Sequence, residues 1–169
     1  MKNASAFVFY REDAMTGVIQ VWMKLGDFLN TVGGYVSQLG LRLLLAYEFW
    51  VAGEEKYNGE NWFANIRSDF PFPFNFVPSE VSWQLSTWFE LIGAVALVLG
   101  LATRFFSLSL IVLTIVAWAA IHSASGYNVC DNGYKLPLVY LIMFVPLLFG
   151  GAGKLSLDYL LWKRVSTGK

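Results

Sequence analysis

The sequence predicts an all-α membrane protein, a four-transmembrane-helix bundle with an N-terminal amphipathic helix and a long outer loop between helices 1 and 2. Three observations predict it. Hydrophobic residues make up 56% of the chain and charged residues only 14%, with a mean hydropathy of +0.51, whereas soluble domains carry about 25% charged residues. Four apolar stretches, 33–53, 83–102, 105–124 and 135–150, are long enough or nearly so to cross about 30 Å of hydrocarbon at 1.5 Å per residue. Basic residues are unevenly shared between the two sides that those stretches define.

Before the first span, Met15, Val18, Trp22, Leu25, Leu29 and Val32 recur at spacings of three and four, with Lys24, Asp27 and Asn30 on other faces. That pattern predicts an amphipathic helix within residues 1–32. It reads as an interfacial helix on the cytoplasmic leaflet, or alternatively as a docking face for a partner protein. The bundle then covers 33–161 and a basic tail 162–169, all in one membrane domain. The second and third spans meet at Thr103 and Arg104, a junction too tight for anything but a helical hairpin. Pro137 falls in the first turn of the last span, where a missing donor costs little, while Pro146 lies deeper and predicts a kink.

Lys2, Arg11, Lys24, Arg104, Lys154, Lys163, Arg164 and Lys169 collect on one side, against Lys56, Arg67 and Lys135 on the other. The excess places both termini of a multi-pass protein in the cytoplasm. Loops 54–82 and 125–134 then face outward. The first contains FPFPFNFVP, residues 70–78, whose prolines forbid a helix. An extended strand would send Phe70, Phe72, Phe74 and Phe76 to one face, as an apolar lid over the outer mouth of the bundle. Trp50, Trp62, Trp83 and Trp162 read as interfacial belt residues. Gly33, Gly34, Gly93 and Gly100 read as small residues that let helices approach.

Ionisable groups inside a span are costly unless paired or hydrated, and each is therefore a functional candidate. They are Arg42 and Glu48 in the first span, Glu90 in the second and His122 near the end of the third. By span midpoints Arg42 is central, Glu90 roughly 3 Å outward, and Glu48 and His122 each roughly 10 Å outward. The four could share one outward-facing polar pocket. Such an array could titrate as a coupled network, or hydrogen-bond the carbonyls of a quinone between apolar walls that include Trp88 and Trp118. The plainer alternatives are a static Arg42 ion pair with Glu90 or Glu48 that fixes helix register, and an interfacial hydrogen bond for His122. Two glutamates and a histidine from three helices, without local ligand spacing, make a weak metal motif.

Three segments carry a resemblance to a known family. GLRLLLAYEFWVAGEEKY, with its in-span arginine and Gly53-x-x-Lys56 close, resembles the first span of the DoxX family. WFELIGAVALVLGLATRF, with Glu90 and the Thr103–Arg104 turn, resembles its second. GGAGKLSLDYLL resembles its closing Gly-Pro-Gly-Lys-x-Ser-x-Asp signature at Gly151, Gly153, Lys154, Ser156 and Asp158, with Ala152 where the family has proline. The phenylalanine loop and YKLPL at 134–138 resemble a subgroup found beside maturation systems for copper-binding modified peptides. The resemblance implies a bacterial inner-membrane protein similar to the membrane subunit of thiosulfate:quinone oxidoreductase, acting in a membrane redox complex with protein partners.

Zero net charge gives no electrostatic case for nucleic acid. The single cysteine, Cys130, excludes an internal disulfide and a CxxC redox pair. No haem, nicotinamide or flavin motif is present, so electron transfer would need a bound quinone or a partner's cofactor. Two functions follow as expectations: a quinone-binding subunit of a membrane oxidoreductase complex, or a non-catalytic scaffold or maturation factor that anchors partner proteins. Either is compatible with a homo-oligomer.

Overall fold

The computed structural model describes the backbone of residues 3–167 and the side chains of Gly17 and residues 19–167. Its elements are helices α1 (Asn3–Asn58), α2 (Phe63–Ile66), α3 (Ser79–Leu99), α4 (Thr103–Ala117), α5 (Lys135–Gly150) and α6 (Leu157–Thr167). Short 3₁₀ turns link some of them, and no strand occurs among the described residues. The chain divides into two compact units, residues 1–35 and 36–169.

In the first unit the expected apolar stripe is exposed at Trp22, Leu25, Leu29 and Val32; the side chains of Met15 and Val18 lie outside the described residues. Val21, Met23 and Phe28 are exposed on other faces of the same helix, so the stripe is part of a more widely apolar surface. Gly33 has nothing within 4 Å of the position a Cβ would take, so it mediates no close helix approach here.

The second unit is built on one apolar core to which four helices contribute. Leu45, Ala46 and Phe49 come from α1, Ala94 and Leu97 from α3, Leu110 from α4, and Phe144 and Leu147 from α5. Gly93 allows the α3–α4 contact, since a Cβ there would stand 3.2 Å from Leu110 Cδ1. Helix α3 and the stretch Thr103–His122, which continues α4 through a π-helical turn at Trp118–His122, are each long and apolar enough to cross a membrane; α5 is apolar but shorter. Pro146 lies inside α5 and Pro137 in its first turn.

Helix α3 ends at Gly100, which adopts the left-handed conformation at φ +64°. Gly100 N–H donates to Leu97 O at 3.2 Å and Leu101 N–H to Ala96 O at 2.9 Å, the paired bonds of a Schellman cap. Gly100 is therefore a turn residue as well as a point of close approach.

The phenylalanine loop departs from the extended form its prolines suggest. Phe74 N–H donates to Pro71 O at 2.8 Å and Phe76 N–H to Pro73 O at 3.2 Å, so successive tight turns replace a strand. Arg67 ties the loop further by donating to Asn75 O and Phe76 O. The period of two is lost, and the four rings do not share a face. Phe70 is buried against Phe63 and Trp83, with Phe74 packed beside them. Phe72 and Phe76 point outward at 81% and 71% exposure. Trp83 joins this buried cluster and is not a belt residue, whereas Trp50, Trp62 and Trp162 are exposed.

Phe70→Ala should therefore destabilise the protein by about 3–5 kcal/mol, as expected for a buried phenylalanine. Phe72→Ala should change stability by less than about 0.5 kcal/mol. Unfolding in mild detergent, followed by tryptophan fluorescence, distinguishes this from a four-ring lid, for which both substitutions would be costly.

Candidate functional site

The charged groups of the helical unit are each held by a different set of partners. Arg42 is 1% exposed, and among the described residues no carboxylate bonds to its guanidinium. Nη1–H donates to Ala152 O at 2.6 Å and Leu155 O at 3.0 Å, and Nη2–H donates to Val98 O at 3.1 Å. Those acceptors belong to the last turn of α3 and to the turn between α5 and α6. Carbonyls at a helix C-terminus lack intrahelical donors and carry the negative end of the helix dipole, which suits them to a cation.

The turns around that guanidinium are fixed by the closing segment of the chain. Asp158 Oδ1 accepts from Ala102 N–H at 2.7 Å and Oδ2 from Thr103 N–H at 2.9 Å, so a residue of α6 caps the start of α4. Asp158 N–H in turn donates to Gly100 O at 2.9 Å. Ser156 Oγ accepts from Tyr159 N–H at 3.1 Å and donates to Gly153 O at 2.6 Å, which makes it the N-cap of α6. A Cβ on Gly100 would lie 2.5 Å from Arg42 Nη1 and 2.5 Å from Ser156 Cβ. Only glycine fits there on both conformational and steric grounds.

Glu90 sits elsewhere on α3. Lys56 Nζ donates to its Oε2 at 2.8 Å, to its Oε1 at 3.1 Å and to Ala52 O at 3.3 Å, which engages all of the ammonium's donors. The side chains are only 14% and 9% exposed. Gly53 explains the approach: a Cβ there would stand 2.9 Å from Leu91 Cγ and 3.2 Å from Glu90 Cβ. Glycine brings the two helices together, and Lys56, one turn on, reaches across. Glu90 precedes Val98 by eight residues, roughly 12 Å along a helix axis, and its bonded partner is Lys56 rather than Arg42.

Glu48 accepts a 2.6 Å hydrogen bond from Tyr140 Oη–H on α5. His122 Nδ1–H donates to Asn132 O at 2.7 Å, a backbone contact of the 125–134 loop. The single pocket expected from Arg42, Glu48, Glu90 and His122 is thus resolved into four separate contacts. Depth alone suggested convergence, but each helix presents its charge to a different neighbour. Trp88 is exposed, in an edge contact with Tyr57, and Trp118 stacks on Tyr134 at 5.3 Å between centroids. No group of three or more His, Cys, Asp and Glu side chains placed to hold a metal occurs among the described residues.

Lys56 and Asp158, which only the family resemblance pointed to, and Tyr140, which no motif marked, are the contributors outside the four expected residues. Lys56 falls beyond the expected end of the first span, whereas α1 continues to Asn58. Its spacing of three from Gly53 was the available signal.

A helical membrane protein that holds its charges in buried polar contacts, and closes its last helices with a Gly-Ala-Gly-Lys-x-Ser-x-Asp turn, is the class of molecule these features define. The match to the DoxX family model covers residues 37–123, and the chain belongs to the DoxX family. It is 54% identical over 135 residues to an uncharacterized protein of Haemophilus influenzae, covering 80% of this chain and 89% of that one. A second uncharacterized protein of the same organism is 28% identical over 130 residues, covering 73% and 90%. No solved structure matches this chain.

Removing one partner of the buried pair leaves the other charge unpaired. Glu90→Gln should therefore cost about 3–5 kcal/mol of stability, with most of that recovered when Lys56→Met is added. A double-mutant cycle read by thermal unfolding checks this; additive losses would mean that the pair is not coupled.

Proposed function

We propose that this chain is a four-span inner-membrane protein with both termini in the cytoplasm, and that it serves as a non-catalytic accessory subunit anchoring the partners of a membrane redox or peptide-maturation complex. The observation that carries this reading is the internal pairing of Arg42, Glu48 and Glu90 with Ala152, Leu155 and Val98 carbonyls, Tyr140 and Lys56. Groups that already have protein partners have less to offer a ligand carbonyl. Four helices sharing one core, two of them long and apolar enough to cross a membrane and a third apolar but shorter, support the four-span topology. The basic excess on the side of the α3–α4 turn supports its orientation. The exposed apolar residues of the first unit, such as Trp22, Met23 and Phe28, supply a surface that lipid or a partner would cover.

A quinone-binding subunit is the second reading, and one feature favours it. Lys56 and Glu90 form a nearly buried ion pair, and Trp83 of the aromatic cluster lies two helical turns before Glu90 on α3. A quinone headgroup admitted beneath Phe63 and Phe70 would lie toward the same face of α3 that carries Glu90, since Trp83 and Glu90 are two turns apart.

Solvent extraction of the protein purified in mild detergent decides between them. The accessory reading expects no stoichiometric quinone and no rise in melting temperature on adding a quinone analogue. One quinone per chain, lost in Glu90→Gln, would overturn it in favour of the second.

A further inference from the structure

Beside the Asp158 cap lies a groove of about 460 Å³, lined among others by Arg104, Phe105, Gly151, Gly153, Tyr159 and Trp162. It opens where α4 begins and α5 ends, so in the four-span topology it stands at the cytoplasmic boundary between hydrocarbon and headgroups. This placement rests on the reading given under Proposed function. The residues that line it include one cation and one anion, and the two differ in availability. Both carboxylate oxygens of Asp158 are held by the Ala102 and Thr103 amides, which offsets its charge. Arg104 is exposed and donates through Nη2 to Phe149 O at 3.2 Å, and a guanidinium carries more N–H donors than that one bond uses.

The floor and flanks select further. Arg104 Nε lies 3.7 Å from the position of a Cβ on Gly151, whose φ of +78° favours glycine, so the guanidinium rests over backbone. Phe105 and Phe149 beside it are 57% and 75% exposed, an apolar flank on the hydrocarbon side. Trp162, 66% exposed, is the kind of residue that settles at headgroup level. An arginine at such a boundary, flanked by exposed apolar rings, matches the chemistry of a phosphate that carries acyl chains.

We infer that this groove binds the phosphate headgroup of an anionic phospholipid of the cytoplasmic leaflet, with Arg104 as the phosphate contact. The free phosphate ion shares the headgroup chemistry but gains nothing from the apolar flank. Full-length protein in mild detergent, titrated with phosphatidylglycerol, phosphatidylcholine or inorganic phosphate and followed by native mass spectrometry, tests this. Wild type should retain phosphatidylglycerol preferentially. Arg104→Gln should weaken that binding by about tenfold, the loss expected for one charge-assisted hydrogen bond. Arg104→Lys should recover part of it, and Lys163→Gln, outside the groove, should leave it unchanged. Equal retention of the two lipids by wild type, unaltered binding by Arg104→Gln, or displacement of the lipid by millimolar phosphate would each overturn the inference. Alkaline carbonate washing of membranes separates the levels of failure. Protein that stays in the membrane yet shows no lipid preference defeats the groove alone, and protein that is released defeats the topology as well.

Discussion

The helical unit depends on one buried guanidinium. Arg42 joins the last turn of α3 to the turn between α5 and α6 through three backbone carbonyls. An arginine taken out of water carries a desolvation penalty of several kcal/mol unless its donors find acceptors. Backbone carbonyls, one from a helix end and two from a turn, meet that need without a second desolvated charge. The acceptors, however, must be aimed at one point, and that requirement shapes the surrounding chain. Gly100 must turn left-handed so that the chain can pass beside the guanidinium, Asp158 must hold the start of α4, and Gly151 and Gly153 must bend the backbone with positive φ.

The resemblance that sequence alone offered now has a physical content. Arg42 of the first segment, Gly100 and Thr103 of the second, and Gly153, Ser156 and Asp158 of the third belong to one connected set of contacts. Gly53, Lys56 and Glu90 form another. In both, a glycine permits the approach and a charged side chain uses it. Most of their polar groups are satisfied within the protein, with Arg42 Nε and Thr103 Oγ1 the buried exceptions in the first set. Motif specificity is therefore as much a statement about assembly as about chemistry.

Helix positions were legible because they follow from apolar length and from prolines and glycines. The stretch 135–150 coincides with α5, and 83–102 falls within a few residues of α3. That Arg42 and Glu90 need polar partners or water was also legible, since a charge inside a span is costly otherwise. Their partners were not, because depth along a span fixes one coordinate of a side chain and leaves its direction around the helix open. Arg42 and Lys56 both lie on the buried side of α1, yet one meets a helix end and the other a carboxylate. The phenylalanine loop failed for a related reason. Proline excludes the α-helix, but tight turns satisfy it as well as an extended strand does, and Arg67, distant in pattern though near in sequence, favours the turns.

The two ends of the helical unit consequently differ in character. At the end that carries the Arg42 contacts, backbone conformation is fixed by interlocking caps, and Arg104 is exposed beside a groove. At the other, aromatic rings pack over the start of α3, a buried ion pair sits two turns deeper, and the π-helical turn of Trp118–His122 interrupts the regular helix. Widened turns of that kind recur at functional positions, and this one faces the aromatic cluster through Ala120, with Val116 just before it.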